Sequence, residues 1–226
     1  MNSTKKIEGM FSGITKVYDA LNDIMSFGLS RIWRMYASQA VLSSWKEGFR
    51  VLDLAVGTGY MTGRILKDSR NGVNVVGCDI TRAMLVNASR NLGDGVPLVL
   101  ADGRHLPFRD GSFNSVVSAF SLRSFIEEGH AEVLSEIKRT LAQDGLAVFV
   151  DTGKPEGNFM NAFFLVYMSI MKRLGGIYDS ESYNWLAKSI WTLDPNEFKK
   201  AMTEAGYKSN VYALPFGVPY LFVGKK

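Results

Sequence analysis

Residues 51–66 read VLDLAVGTGYMTGRIL, and the rest of the chain is interpreted outward from this stretch. Val51 to Ala55 is an apolar run of strand length, the pattern of a parallel strand covered on both faces. Gly57-Thr58-Gly59 then turns the chain into a helix whose apolar face includes Met61 and Ile65. A glycine lets the backbone come close to a ligand, and the unpaired N–H groups that open a helix favour a carboxylate or a phosphate. Many α/β proteins share such a turn, so the loop alone leaves the function open. In a dinucleotide fingerprint the third glycine falls three positions after the second, but here that position is Thr62, and Gly63 comes one residue late. The nicotinamide reading is weakened accordingly.

The next two strands each end in an acid. Val73 to Cys78 leads to Asp79, twenty residues beyond Gly59, about where a carboxylate receives a ribose diol. Thr81 is placed to cap a helix with Met84, Leu85, Ala88 and Leu92 on one face. Val96 to Ala101 leads to Asp102, where a side chain reaches an adenine amino group. Asp53 lies within the first strand and gives Asp-x-Ala-x-Gly-x-Gly, which resembles the first motif of Rossmann-like methyltransferases. An acid inside a buried run is costly unless paired, so Asp53 is expected to bond the loop amides or, through water, the amino group of a cofactor. Open parallel sheets bind ligands at the carboxyl ends of their strands, where these three acids sit. The expected cofactor is S-adenosyl-L-methionine, with S-adenosyl-L-homocysteine as product. Its expected contacts are Asp53, Gly57, Thr58, Gly59, Thr62, Asp79, Ile80, Asp102, Gly103 and Ala119.

Strand four is read at Phe113 to Ala119, a helix at Ala131 to Leu141 and strand five at Leu146 to Asp151. The following helix has Asp194 as cap, Pro195 at its first position, Glu197 completing a capping box and Gly206 as terminator. Pro155 to Trp191 is therefore an insertion. With the amphipathic segment Met10 to Trp45, it is expected to cover the sheet's carboxyl edge and form an acceptor pocket. Val211 to Val223 is expected to close the sheet as a hairpin with an antiparallel edge strand. The predicted fold is α/β and Rossmann-like: a seven-stranded, mostly parallel sheet with an antiparallel last strand and helices on both faces. A helical lid comes from residues 1–45 and 155–191, all within one domain, 1–226.

Composition agrees with a single enzyme domain. The chain has 226 residues with 46% apolar content, enough for a full core, and no linker or repeat divides it. The net charge of +4 rests on Lys5, Lys6, Lys225 and Lys226; without them 22 basic residues face 22 acidic ones. A nucleic-acid partner is therefore not expected, although terminal lysines can attract an anionic membrane surface. One cysteine, Cys78, precludes an internal disulfide, fits a reducing cytosol and reads as a small buried hydrophobe. With only His105 and His130, and no clustered ligands, no metal site is expected. His130 opens an amphipathic helix and His105 reads as a loop residue. The N-terminus lacks the apolar core of a signal peptide. The most apolar stretch, Phe159 to Met171, is thirteen residues long and too short to span a bilayer.

Several further segments carry a more specific resemblance: MFSGITKVYDALNDIMSFGLSRIWR from Met10, LPFRDGSFNSVVSAFSLRSF from Leu106, DTGKP from Asp151, SYNWLAKSI from Ser182 and AGY from Ala205. With VLDLAVGTG, the chain resembles the ubiquinone/menaquinone-biosynthesis C-methyltransferase family of class I methyltransferases over nearly its whole length. The resemblance implies an acceptor that is the ring carbon of a prenylated quinol. It also exposes departures. Tyr60 stands where the family usually has an acid, and Ser121-Leu122-Arg123-Ser124 replaces Gly-Leu-Arg-Asn. Asp151-Thr152-Gly153 replaces Glu-Phe-Ser, and Phe222 replaces a histidine. These put the identity of the acceptor in question more than the cofactor.

Ring carbon is a poor nucleophile unless the adjacent phenol, of pKa about 10, ionises. A cation in hydrogen-bonding reach lowers such a pKa by about 1–3 units. Arg123, read on the loop after strand four, is the candidate cation. Tyr183 is expected to bond the acceptor oxygen and Asp151 to relay its proton. Tyr18 and Arg34 are expected contacts of the lid with cofactor or acceptor. Two other classes stay open: a methyltransferase of another small or lipid-linked acceptor, and a non-catalytic module that binds S-adenosylmethionine. The expected location is the cytoplasm, with transient contact at the inner membrane face, and a homodimer is a possible assembly.

Overall fold

A computed structural model of the chain describes residues 26, 28–69, 72–128, 130–154, 193–215 and 219–226. Seven strands form one sheet: β1 (Arg50–Leu54), β2 (Asn74–Asp79), β3 (Leu98–Leu100), β4 (Phe113–Ala119), β5 (Leu141–Thr152), β6 (Lys208–Ala213) and β7 (Pro219–Lys225). The described helices are α1 (Ser30–Leu42), α2 (Tyr60–Asp68), α3 (Arg82–Leu92), α4 (Leu122–Glu128), α5 (His130–Thr140) and α6 (Pro195–Glu204).

The strand order is β3-β2-β1-β4-β5-β7-β6. Pairing from β3 to β5 is parallel, and β7 runs antiparallel between β5 and β6. The order reverses between β1 and β4, which opens a crevice at their carboxyl ends. Strand alternation divides the core. Leu52, Leu54, Val116 and Phe149 face α5 and α6 through Leu134, Ile137, Phe198 and Met202. Val51, Val117, Val148 and Val150 face α1 and α2 through Trp33, Ala37, Val41, Met61 and Ile65. Asp53 shares the parity of Val51, so its carboxylate points to α2.

The predicted class holds, with local corrections. The hairpin places its antiparallel strand, β7, inside the sheet, and β6 is the edge. Phe222 pairs with Phe149 there and both are fully buried, a stronger anchor than an edge position gives. The third strand is only three residues, Leu98–Leu100, because Pro97 precedes it and has no N–H for the ladder. Thr81 takes the cap position of α3 but makes no cap bond, its hydroxyl being turned to Asp79. Arg123 lies in α4 and not on a loop. At α6, Asp194 accepts from the amides of Asn196 and Glu197, Pro195 opens the helix and Gly206 has φ +83°, but Glu197 does not return the bond to Asp194 N that would complete a capping box. Cys78 is buried in β2, where burial pushes its thiol up to about 12.

Of the expected lid, α1 is described, packed on the sheet face by Trp33, Ala37 and Val41. Residues 155–191, Tyr18 and Tyr183 lie outside the described residues. Among the described residues no helix is long and apolar enough to cross a membrane.

Candidate active site

A cavity occupies the crevice at the ends of β1, β2 and β4, and its wall includes Asp53, Gly57, Thr58, Asp79, Ile80, Gly103 and Ala119. Seven of the ten predicted cofactor contacts are thus brought together. Two of the rest support the wall from behind. Gly59 turns the chain with φ +86°, and a Cβ there would stand 2.7 Å from the Leu92 side chain, so the loop and α3 require glycine. Thr62 donates its hydroxyl to Asp53 Oδ2 at 2.6 Å. Backbone strain gathers at the same place: Ala55 and Phe120, following β1 and β4, hold φ of +58° and +61°. Non-glycine residues seldom adopt this region, and it concentrates at functional sites.

The loop amides are held by a different acid from the one expected. Asp79 Oδ2 accepts from Gly57 N at 2.9 Å and Oδ1 accepts from Thr81 N at 2.8 Å. Asp53 is 1% exposed, and its Oδ1 has no partner among the described residues. Burial pushes its carboxyl up to about 7; the bonds from Thr62 oppose that rise, Asp79 adds to it, and Arg34 opposes it. A buried, unpaired oxygen on a cavity wall is the feature an incoming N–H donor satisfies.

This shift fixes the sign of a pH effect. Unfolded, Asp53 releases its proton near 4; folded, it keeps it to about 7. Its contribution to stability is therefore present below pH 4 and is lost as the pH rises from there to 7. Asp53→Asn keeps an acceptor for Thr62 and removes the titration. Thermal melts from pH 4 to 8 should show the variant gaining on the wild type by several degrees, with the gap levelling off above pH 7. Parallel pH profiles would refute the assignment.

Other predicted residues divide. Arg34 lines the cavity at 5% exposure, its guanidinium 4.4 Å from the Tyr60 ring centre and 4.6 Å from that of Phe120. Asp102 turns aside: its carboxylate takes Arg104 in a two-pronged pair, with contacts of 2.6 and 3.0 Å, which holds it below the usual carboxylate range. Arg123 and Asp151 are buried together away from the wall. Arg123 Nη2 is 3.5 Å from Asp151 Oδ1, and its Nη1 donates to Thr152 Oγ1 at 2.9 Å. Asp151 Oδ2 also accepts from Leu122 N at 2.9 Å, taking the cap role at the start of α4. Burial raises its carboxyl while Arg123 opposes the rise.

Sequence reasoning passed over Tyr60, Phe120, Ser121, Ser124 and Phe125, which all line the cavity. The signal for the last three was helical spacing. Ser121 and Ser124 are three apart and share a face, and Phe125 adjoins them. Among the described residues no group of His, Cys, Asp and Glu could hold a metal ion.

Comparison with known proteins bears on this geometry. The model of the ubiE/COQ5 methyltransferase family matches residues 1–226. The chain belongs to that family. A ubiquinone/menaquinone biosynthesis C-methyltransferase of Geotalea uraniireducens is 32% identical, with 98% of this chain and 97% of the relative covered. A demethylmenaquinone methyltransferase of Thermus thermophilus is 34% identical, with 96% of this chain and all of the relative covered. Among solved structures, an S-adenosylmethionine-dependent methyltransferase of Methanococcus maripaludis superposes with a TM-score of 0.63 at 19% identity, covering 92% of this chain and 91% of its own. An Aquifex aeolicus methyltransferase gives 0.59 at 18%, covering 83% and 88%. Both structures support the fold.

Proposed function

We propose that the protein is an S-adenosylmethionine-dependent C-methyltransferase acting on the ring of a demethylated prenyl-quinol. The observation that carries the reading is the convergence of Asp53, the Gly57–Gly59 turn and Asp79 on one cavity at the switch point of a ubiE/COQ5 family sheet. The residues fit the donor. Asp53 offers a buried oxygen to an ammonium, Arg34 a positive charge to a carboxylate, and Asp79 an anionic edge to a ribose. Ala101 and Gly103 leave room for a base beside β3. When bound, S-adenosylmethionine supplies a methyl group already activated on a sulfonium.

The chain's own task is then orientation and exclusion of water, which can supply effective molarities of roughly 10⁵ M or more. Phe120, Phe125 and Met84 give the cavity apolar walls suited to an aromatic ring. Arg123 and Asp151 act as positioning residues in this reading: their pair ties the start of α4 to the end of β5 and so sets the helix face that meets the acceptor. Tyr18, Tyr183 and the segment 155–191 are proposed to complete the acceptor side. Transient contact with a membrane surface delivers so apolar an acceptor, and a homodimer is a proposed assembly.

The test is incubation with methyl-labelled S-adenosylmethionine and a short-tailed demethylated naphthoquinol or benzoquinol, with products resolved by mass spectrometry. Label on the ring carbon is expected. Label on oxygen or on another acceptor would move the protein to a different class of methyltransferase. Absence of any transfer despite tight donor binding would reduce it to a binding module.

A further inference from the structure

We infer that Ser121 reads the redox state of the acceptor, favouring the quinol over the quinone through a hydrogen-bond chain that leaves its oxygen able only to accept. The inference rests on the proposed quinol chemistry and adds a specificity residue to it. Three observations carry it.

The first is the direction of the chain. Ser118, fully buried in β4, donates its hydroxyl hydrogen to Leu54 O at 2.5 Å. Ser118 Oγ also bonds Ser121 Oγ. A hydroxyl has one hydrogen, and a carbonyl can only accept. With the Ser118 hydrogen committed to Leu54, the shared bond is made with the hydrogen of Ser121. The Ser121 oxygen therefore turns its two lone pairs to its surroundings and has nothing left to donate.

The second is that Ser121 is not spent elsewhere. It directly precedes α4, and its carbonyl accepts from Ser124 N and Phe125 N, as that of a cap residue does. A serine there ordinarily turns its oxygen back to an amide of the first turn. At this helix Asp151 accepts from Leu122 N instead, and among the described residues Ser121 Oγ bonds only Ser118.

The third is location. Ser121 lines the cavity beside Ser124, Phe125 and Phe120, on the β4 side of the crevice and opposite Asp79. An acceptor-only oxygen among aromatic walls suits a ring that presents an O–H. A quinol does so, whereas a quinone presents a carbonyl oxygen, and two acceptors would face each other without a proton. Only one of the two quinol hydroxyls, the one next to the reacting carbon, must ionise for carbon to attack. Ser121 holds the other in its protonated form. Bonds in such a chain also polarise one another.

The experiment is equilibrium binding of a short-tailed naphthoquinone and of its quinol, kept reduced with dithionite, each to the S-adenosylhomocysteine complex. It is run on the wild type, Ser121→Ala and Ser121→Gly, with S-adenosylhomocysteine affinity measured on each. The wild type should bind the quinol at least about tenfold tighter, the loss expected when a hydrogen bond gives way to an unpaired acceptor. Both variants should bring the ratio close to one with donor-product affinity unchanged. A wild type with no preference overturns the inference without recourse to any variant, as does a ratio that survives both substitutions. Loss of S-adenosylhomocysteine affinity with the ratio kept would overturn it too, since the oxygen would then serve the donor's ammonium. Binding of neither ring form would instead sink the quinol reading, and this inference with it.

Discussion

Asp151→Ala should lower the free energy of unfolding by about 3–5 kcal/mol, the cost of leaving a buried charge without its partner. Asp151 is fully buried and Arg123 is 6% exposed, so neither can turn to water when the other is lost. The same substitution strips Leu122 N and Thr152 N of their acceptors, at 2.9 and 2.7 Å. Urea unfolding at neutral pH measures the loss directly. Asp151→Leu combined with Arg123→Met should recover most of it, because two packed apolar side chains leave no charge stranded. A double variant as unstable as Asp151→Ala would show that the lost amide bonds, and not the ion pair, carry the effect. Turnover in that double variant then separates two roles for Arg123. If stability returns and turnover does not, Arg123 does more than fix α4.

That pair also shows where a one-dimensional reading stops. Arg123 and Asp151 read as a cation and an acid near the reacting ring, and the structure brings them against each other. Their mutual contact could not be read from spacing, because it depends on the parallel register of β4 and β5, which places the start of α4 beside the end of β5. Arg123 reads as a loop residue in the sequence because α4 has only seven residues. Fewer than two turns give too little periodicity to separate a helix from a polar connection.

The sheet, by contrast, was legible because its signals are local and repeated. Apolar runs bounded by glycine and acid located β1, β2 and β4 to within one residue of their bounds, and the cap of α6 followed from Asp194 and Pro195. The division of work among the acids was less legible. Asp53, Asp79 and Asp102 look alike as carboxylates near strand ends, yet one bonds Thr62, one holds the loop amides and one pairs with Arg104. Which oxygen meets which hydrogen is settled by positions across strands and by a rival cation two residues away. Arg34 shows the same limit. Its value to the site comes from the Tyr60 and Phe120 rings against its guanidinium, which are remote from it in the chain.

The second large effect is expected at Asp79. Asp79→Ala should weaken S-adenosylhomocysteine binding by 100-fold or more, as read by titration calorimetry. The carboxylate holds Gly57 N and Thr81 N at once, so it fixes the glycine turn from one side and the entry to α3 from the other. A ribose diol gives this carboxylate two hydrogen bonds that form only on binding, and bonds to a charged group contribute about 1.5–3 kcal/mol each. Two such losses correspond to at least two decades in affinity. Asp79→Asn should fall between, because its single carbonyl oxygen can serve one amide while its NH2 faces the other. Stability of the ligand-free protein should change far less than affinity, since burial already works against the carboxylate and raises its pKa. Removing it relieves that cost while releasing the two amides. Affinity within fivefold of the wild type would mean that Asp79 neither locks the turn nor meets the ribose, and the donor would have to lie elsewhere in the crevice.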